Sequence, residues 1–251
     1  MFARTLLLSA ALLALISCQT TTATSTPAQV THFRGVAYTF NTPKPIAGAT
    51  ISVAELPQFV TTTDANGYYD LAVEVTSDSQ KVTPFIAKTG FHTIYLQTWT
   101  LHPGDADLEH VHFQTPDDDT FFVLATLVGV GPKTTQCQVV TTSSDKVVQG
   151  MTYEQFRDHG AHGVGGVKAT ATAVIGGAVV PGPIYFNSKV VPDPKLTESS
   201  DDGGILWTNV PDGEFVLHGS HATRKFTDVT ITCAPNRIVN ANPPWGMHEI
   251  P

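Results

Sequence analysis

Two histidines stand two apart in the stretch LEHVHF, residues 108–113. Read as a strand, the stretch points His110 and His112 to the same face, because side chains alternate along a strand. Two imidazoles on one face can chelate a transition-metal ion when further ligands join them. Other histidines also pair, His159 with His162 in DHGAHG and His218 with His221 in LHGSH. Asp158 and Glu109 stand where a carboxylate could orient a ring from behind. A chain with ten histidines brings some close in any case, and a metal site needs three or four ligands to converge. Asp117, Asp118 and Asp119 are consecutive, whereas a calcium loop spaces its oxygens and turns on a glycine. They read as a solvated acidic turn. The sequence contains no G-x-S-x-G, no H-E-x-x-H and no phosphate loop.

Trp99 and Trp245 are the candidate binding residues. Exposed indoles could stack on sugar rings, whereas aromatics of alternating strands more often face the core, and the third tryptophan, Trp207, has the same two readings. Pro243 and Pro244 hold the chain extended before Trp245, which suits a plug in a groove between domains. Cys137 and Cys233 read as a disulfide in an oxidising compartment. The alternative is a thiol catalyst, although neither cysteine has a histidine nearby in the sequence.

These residues are carried by short segments rich in β-branched and aromatic residues. FRGVAYTF, ATISVAEL, FVTTT, YYDLAVEV, VTPFIAK and HTIYLQTW are separated by turn chemistry such as TDANG. The pattern predicts an all-β chain. A similar grammar returns later: TDANGYYDLAV, from Thr63, aligns with SDDGGILWTNV, from Ser200, matching Asp64 to Asp201 and Gly67 to Gly204. Two related β-domains are expected, residues 30–116 and 135–251, with 117–134 between them. DDDTFFVLATLVG reads as either helix or strand. MTYEQFRDHG reads as a short helix, with Thr152 and Gln155 forming a capping box and Gly160 ending it.

The first eighteen residues, MFARTLLLSAALLALISC, combine a positive start at Arg4 with an apolar run over 6–16. The run is shorter than a bilayer span and suits an export signal. Residues 15–18, LISC, resemble a bacterial lipobox. That resemblance implies cleavage before Cys18, acylation of its sulfur (a palmitate-type lipid anchor) and no helix through the membrane. The alternative is an ordinary signal peptide that contains a cysteine. Gln19 after the cysteine, in place of Asp, favours the outer membrane of a Gram-negative envelope. Residues 19–29 are uncharged and without apolar period, which reads as a flexible tether. Formal net charge is −8 and only 14% of residues are charged. With no basic run, the chain is not drawn to nucleic acid.

GATISV, TTTDANGYYDLAV and FIAKTGF resemble the carboxypeptidase regulatory-like domain, a transthyretin-like β-sandwich related to immunoglobulin-like folds. GPIYFN and LTESSDDGGILWTNVPDGEFVLHG resemble it a second time. The resemblance implies two tandem sandwiches with one or two short helices, acting as accessory modules with no catalytic set and no cofactor. A weaker resemblance links the His-x-His stretch and the TDANGYY turn to the intradiol dioxygenase core, which would use His110 and His112 on ferric iron. That family needs two tyrosine ligands. Tyr95 could be the second, but no tyrosine lies between Ala49 and Asn66, where Phe59 stands instead. Residues 105–108, DADL, replace its arginine. The expectation is therefore a lipid-anchored, extracytoplasmic, non-catalytic module that binds an envelope protein, peptide or carbohydrate. The alternative is a metal-binding or dioxygenase-like protein holding one transition-metal ion.

Overall fold

A computed structural model describes residues 29–40, 44–117, 129, 131–159 and 162–251. The segment read as helix or strand after Asp117 lies outside the described residues, as do the signal, Cys18, nearly all of the tether, and Gly160.

Among the described residues, the N-terminal half contains nine strands: β1 (Gln29–Thr39), β2 (Thr50–Val53), β3 (Val60–Thr62), β4 (Tyr68–Val75), β5 (Gln80–Val82), β6 (Pro84–Ala87), β7 (Ile94–Tyr95), β8 (Trp99–Leu101) and β9 (Phe113–Thr115). Apolar residues alternate along β4, so Tyr69, Leu71, Val73 and Val75 are buried while Tyr68, Asp70, Ala72 and Glu74 face out. The sheet β4-β1-β9 packs this face against β7-β6-β2-β3. Phe33, Ile51, Leu71, Ile86, Ile94 and Phe113 fill the core between the two sheets.

The C-terminal half begins with β10 (Cys137–Ser144), a 3-10 turn (Lys146–Gly150) and α1 (Tyr153–Asp158). It continues with β11 (Lys168–Ala173), β12 (Ile184–Phe186), β13 (Pro192–Asp193), β14 (Gly204–Val210), β15 (Gly213–Ser220), β16 (Lys225–Phe226), β17 (Val229–Cys233), β18 (Ile238–Asn240) and β19 (Met247–Ile250). Its core, around Val139, Ile205, Trp207, Leu217, Ile231 and Val239, lies between β12-β14-β10-β18 and β11-β15-β17. Cys137 on β10 and Cys233 on β17 form a disulfide across these two sheets, with Cα atoms 5.5 Å apart. The capping box of α1 is present in full: Thr152 Oγ1 accepts from the Gln155 N–H, and the Gln155 side chain accepts from the Thr152 N–H.

The two halves repeat one another in hydrogen-bonding detail. In the first, Thr63 Oγ1 accepts from the Ala49 N–H at 2.8 Å and donates to the Ile46 carbonyl at 2.6 Å. In the second, Ser199 Oγ accepts from the Val167 N–H at 2.9 Å and donates to the Val164 carbonyl at 2.6 Å. Gly67 and Gly203 then have φ of +77° and +76°, and each carbonyl accepts from the opening strand, from Ala37 and Ser143. A Cβ at Gly67 would lie 2.4 Å from the Ala37 oxygen, and one at Gly203 would lie 2.7 Å from the Ser143 oxygen. These equivalences shift the sequence alignment by one residue. Thr63 matches Ser199, Asp64 matches Ser200, and Gly67 matches Gly203 and not Gly204. The run of small and acidic residues over 199–204 let the sequence slide. The buried hydroxyl, which must meet a particular N–H, sets the register. Asp64 accepts from the Asn66 N–H and Ser200 does the same for Asp202, so the turn needs a short side-chain acceptor of either kind.

The halves share a sheet. β18 pairs in parallel with β7, Ile238 with Ile94 and Val239 with Tyr95, so hydrogen-bonded neighbours run without a break through β13-β12-β14-β10-β18-β7-β6-β2-β3. Among the described residues, no helix is long and apolar enough to cross a membrane.

Candidate functional site

The stretch LEHVHF is not a strand. Leu108 forms an isolated parallel bridge with Phe33, the Val111 N–H donates to the Arg34 carbonyl at 2.9 Å, and the strand ladder resumes at Phe113 in β9. Between them the chain bends, with His110 at φ 62° and the His112 N–H donating to the His110 carbonyl at 2.8 Å. The cause lies on β1. Gly35 has no Cβ, and one placed there would sit 2.1 Å from the Val111 oxygen, so the bend presses onto the backbone of β1 at that point. The buried Tyr69 hydroxyl donates to the same Val111 carbonyl.

Arg34 fastens the arm that leads into the bend. Its guanidinium donates to Asp70 at 2.9 Å, Asp107 at 2.9 Å and Glu109 at 2.8 Å, and His32 Nδ1 meets Asp70 at 2.6 Å. Hydrogen bonds that Arg34 donates to three carboxylates, Asp70 foremost, hold its pKa above its ordinary value. Burial pushes the Asp70 carboxyl upward, but His32 and Arg34 together hold it below its usual range. Asp107 is lowered first by the His32 N–H and then by Arg34. Glu109 therefore serves Arg34, and the carboxylate of this cluster that steadies a histidine is Asp70, on His32.

His110 and His112 have ring centroids 5.8 Å apart with planes at 73°. The separation suits two imidazoles on one ion, but the roles of the rings differ. His112 Nδ1 accepts from the Val36 N–H at 3.0 Å. Burial, with the neighbouring His110, pushes its pKa down to about 4. The neutral ring is thus a structural acceptor for β1. His110 lies against Trp245, centroids 5.2 Å apart. Among the described residues, no group of three or more His, Cys, Asp or Glu side chains is placed to hold a metal ion. Tyr95, the tyrosine that the dioxygenase resemblance assigns to iron, has the Arg237 guanidinium 4.4 Å above its ring, and Phe59 packs on the N-terminal core. The other histidine pairs stay apart in their contacts. His162 packs on Phe156, His218 pairs with Asp228 at 2.7 Å, and His221 Nδ1 accepts from the Thr223 N–H.

The two candidate tryptophans do come together. Trp99 stands on β8 with its ring edge-on to Phe33, centroids 5.3 Å apart. Trp245 follows the Pro243-Pro244 peptide, which is cis, in the bend between β18 and β19. Both are half-buried and both line a single cleft of about 430 Å³ where the halves meet. The third, Trp207, is core. The seam beside the cleft is densely tied. The Thr98 N–H donates to the Thr230 carbonyl at 2.8 Å, and Thr98 Oγ1 lies 2.8 Å from both Thr83 Oγ1 and Thr232 Oγ1. Gln97 Nε2 donates to the Pro243 carbonyl at 2.9 Å, and Lys81 pairs with Glu214. Thr100, Thr227, Asp228, Thr230 and His248 complete the polar wall. Sequence reasoning missed these residues. They come from separate segments, and each is an ordinary strand or turn residue until the halves dock.

A second hollow of about 500 Å³ runs over β14, β10 and β18, with Val140, Leu206 and Ile238 in its lining. Pro116 and Pro132, which flank residues outside the described set, form part of its rim. Burial raises the carboxyl pKa of Asp202 on its wall.

No family model and no curated protein matches this chain. Among solved structures it is similar to a shaft pilin from Lactobacillus rhamnosus GG, at 10% identity over 89% of this chain and 98% of that one, with a TM-score of 0.27. It is similar to the minor pilin of the Gram-positive pathogen Streptococcus agalactiae, at 9% identity over 88% and 97%, with a TM-score of 0.28. It is also similar to the Bacillus anthracis TIE protein, at 13% identity over 85% of this chain with a TM-score of 0.27, and spans 33% of that protein's length.

Proposed function

We propose that this chain is a non-catalytic binding or structural module of a bacterial cell envelope, carried outside the cytoplasm on a lipid at Cys18. One observation supports the module reading above the others: a continuous sheet joins the two sandwiches and sets one cleft at their seam. Rigid β elements that present a fixed concave surface suit recognition. The side chains that could do chemistry are engaged in fastening. Cys137 and Cys233 are joined, and among the described residues the His32–Asp70 and His218–Asp228 pairs have no hydroxyl or thiol bonded to the imidazole, while the Thr227 hydroxyl that meets His248 Nδ1 also accepts from the His248 N–H. A nucleophile activated by a base needs such a partner within hydrogen-bond reach.

The anchor rests on residues 1–18: the positive start at Arg4, the apolar run over 6–16 and LISC at its end. Expression in a Gram-negative host with labelled palmitate, followed by membrane fractionation and intact mass, tests it. The expected result is label on the wild-type chain in the outer-membrane fraction, a mature N-terminus at Cys18 with acyl mass, and no label on Cys18→Ser. An unacylated mature chain that retains Cys18 would end the lipoprotein reading.

A further inference from the structure

We infer that the cleft lined by Trp99 and Trp245 binds a neutral oligosaccharide. This rests on the binding-module reading and names the ligand class.

The first argument is the composition of the walls. Two indole-bearing residues, one from each half, line the cleft together with Gln97, Thr100, Thr230 and His248. A pyranose presents apolar C–H faces and a rim of hydroxyls that donate and accept. Aromatic faces beside amide, hydroxyl, imidazole and carboxylate groups meet both demands. Asp228 is held by His218 through Oδ1 and is more than half exposed, so its Oδ2 can accept from a sugar hydroxyl. His248 Nδ1 is engaged by the Thr227 hydroxyl, which turns the opposite edge of the ring to other partners. Burial lowers the His248 pKa, so the ring stays neutral and exchanges hydrogen bonds with neutral groups.

The second argument is charge. Among the described residues no lysine or arginine lines the cleft, whereas the acidic residue Asp228 does, and the chain has formal net charge −8. Phosphates, sulfated sugars and uronates lack the cation they would need and meet repulsion instead. The third argument is preorganisation. Trp245 is backed by His110, Gln97 is tied to the Pro243 carbonyl, and the Thr83–Thr98–Thr232 hydroxyl chain braces the seam. A wall already ordered loses little freedom when a ligand arrives. The volume of about 430 Å³ lies within the range, roughly 300–1,000 Å³, that small-molecule sites occupy.

The test uses the full chain purified from membranes in detergent, titrated calorimetrically and by tryptophan fluorescence. The probes are the tetrasaccharides of N-acetylglucosamine, cellulose, starch and mannan, with an oligouronate as the acidic control. Saturable binding of at least one neutral probe, with Kd between about 10 μM and 1 mM and no response to the uronate, is expected. Trp245→Ala should weaken it at least about tenfold. Thr100→Arg, a change at an exposed strand position on the cleft wall, should block it with the melting temperature unchanged. Absence of saturable binding to every neutral probe by folded wild-type protein, or equal binding by Thr100→Arg, overturns the assignment. So does preference for the uronate. Retention of the chain in the envelope fraction, scored on the same preparations, separates loss of the sugar assignment from loss of the module reading.

Discussion

His110 and Trp245 lie ring against ring across the seam, centroids 5.2 Å apart, and occupy corresponding places in the two repeats. His110 sits in the bend between the bridge at Leu108 and β9, and Trp245 sits in the bend between β18 and β19. Both preceding segments lie parallel to the opening strand of their half, and both following strands do so again. The bend that ends one sandwich is therefore seated against the bend that ends the other.

That contact, with the β18–β7 pairing, predicts a single unfolding transition for both halves. Trp99 packs on the N-terminal core and Trp207 is buried in the C-terminal one, so tryptophan fluorescence and far-UV circular dichroism in urea should give coincident midpoints. Splitting the shared sheet with Val239→Pro should separate the transitions, because proline removes a ladder donor and is not accommodated in a central strand.

Acid should destabilise the protein in a defined window. The folded-state pKa of His112, about 4, lies below its ordinary 6.5, so the neutral form is favoured by folding. Its contribution is complete above pH 6.5 and is lost as pH falls towards 4, amounting to about 3 kcal/mol. Asp70 and Asp107, held below their usual range, extend the loss to more acidic pH as they protonate. His112→Asn keeps an acceptor for the Val36 N–H and should flatten the slope between pH 6.5 and 4. Denaturation midpoints across this range check it. An unchanged slope would remove His112 from the account.

The equivalent glycines should behave alike, and unlike a third. Gly67→Ala and Gly203→Ala each combine a left-handed φ with a Cβ driven against a backbone carbonyl, so each should cost about 2–4 kcal/mol. Gly90 has φ 84° with nothing within 4 Å of its would-be Cβ. Gly90→Ala should cost only the backbone strain, about 1 kcal/mol. Urea midpoints for the three variants decide whether the close approach adds to the dihedral penalty.

The disulfide should matter to folding and leave the cleft chemistry intact. It closes a loop with a sequence separation of 96, for which chain-entropy reasoning gives roughly 4–5 kcal/mol. Cys137→Ala/Cys233→Ala should lower the unfolding free energy, measured by urea titration, by about 2–5 kcal/mol, since measured values often fall short of the entropic figure. Stability unaltered by the double change would mean that the bridge is absent in the native protein.

The histidine bend should hold no stoichiometric metal. His112 Nδ1 is taken by the Val36 N–H, and among the described residues no three carboxylate, thiolate or imidazole ligands converge. Elemental analysis of protein prepared without chelators should show well under one equivalent of iron, copper or zinc, equal in wild type and in His110→Ala/His112→Ala. One equivalent lost in the double variant would restore the metal reading.

Much of this architecture is legible in the chain because it is local. The period-two pattern of YYDLAVEV gave β4 to the residue, TDANG gave a turn held by Asp64 and Gly67, and Thr152 with Gln155 gave the capping box of α1. Two cysteines left after Cys18 pointed to the bridge that joins β10 to β17. The strand expected at LEHVHF failed because its alternation was read without its neighbour, and Gly35, 75 residues before His110, is what lets the chain press in and bend there. The repeat register failed by one residue for a similar reason: it is set by buried hydroxyls meeting N–H groups across a turn, a constraint that Thr63 and Ser199 satisfy and letter similarity does not measure. Sequence alone determined the composition of the strands, the turns and the candidate indoles. Only the tertiary structure decided that Trp99 and Trp245 line one cleft, because that depends on the pairing of β18 with β7, a long-range contact whose energy comes from docking two completed cores.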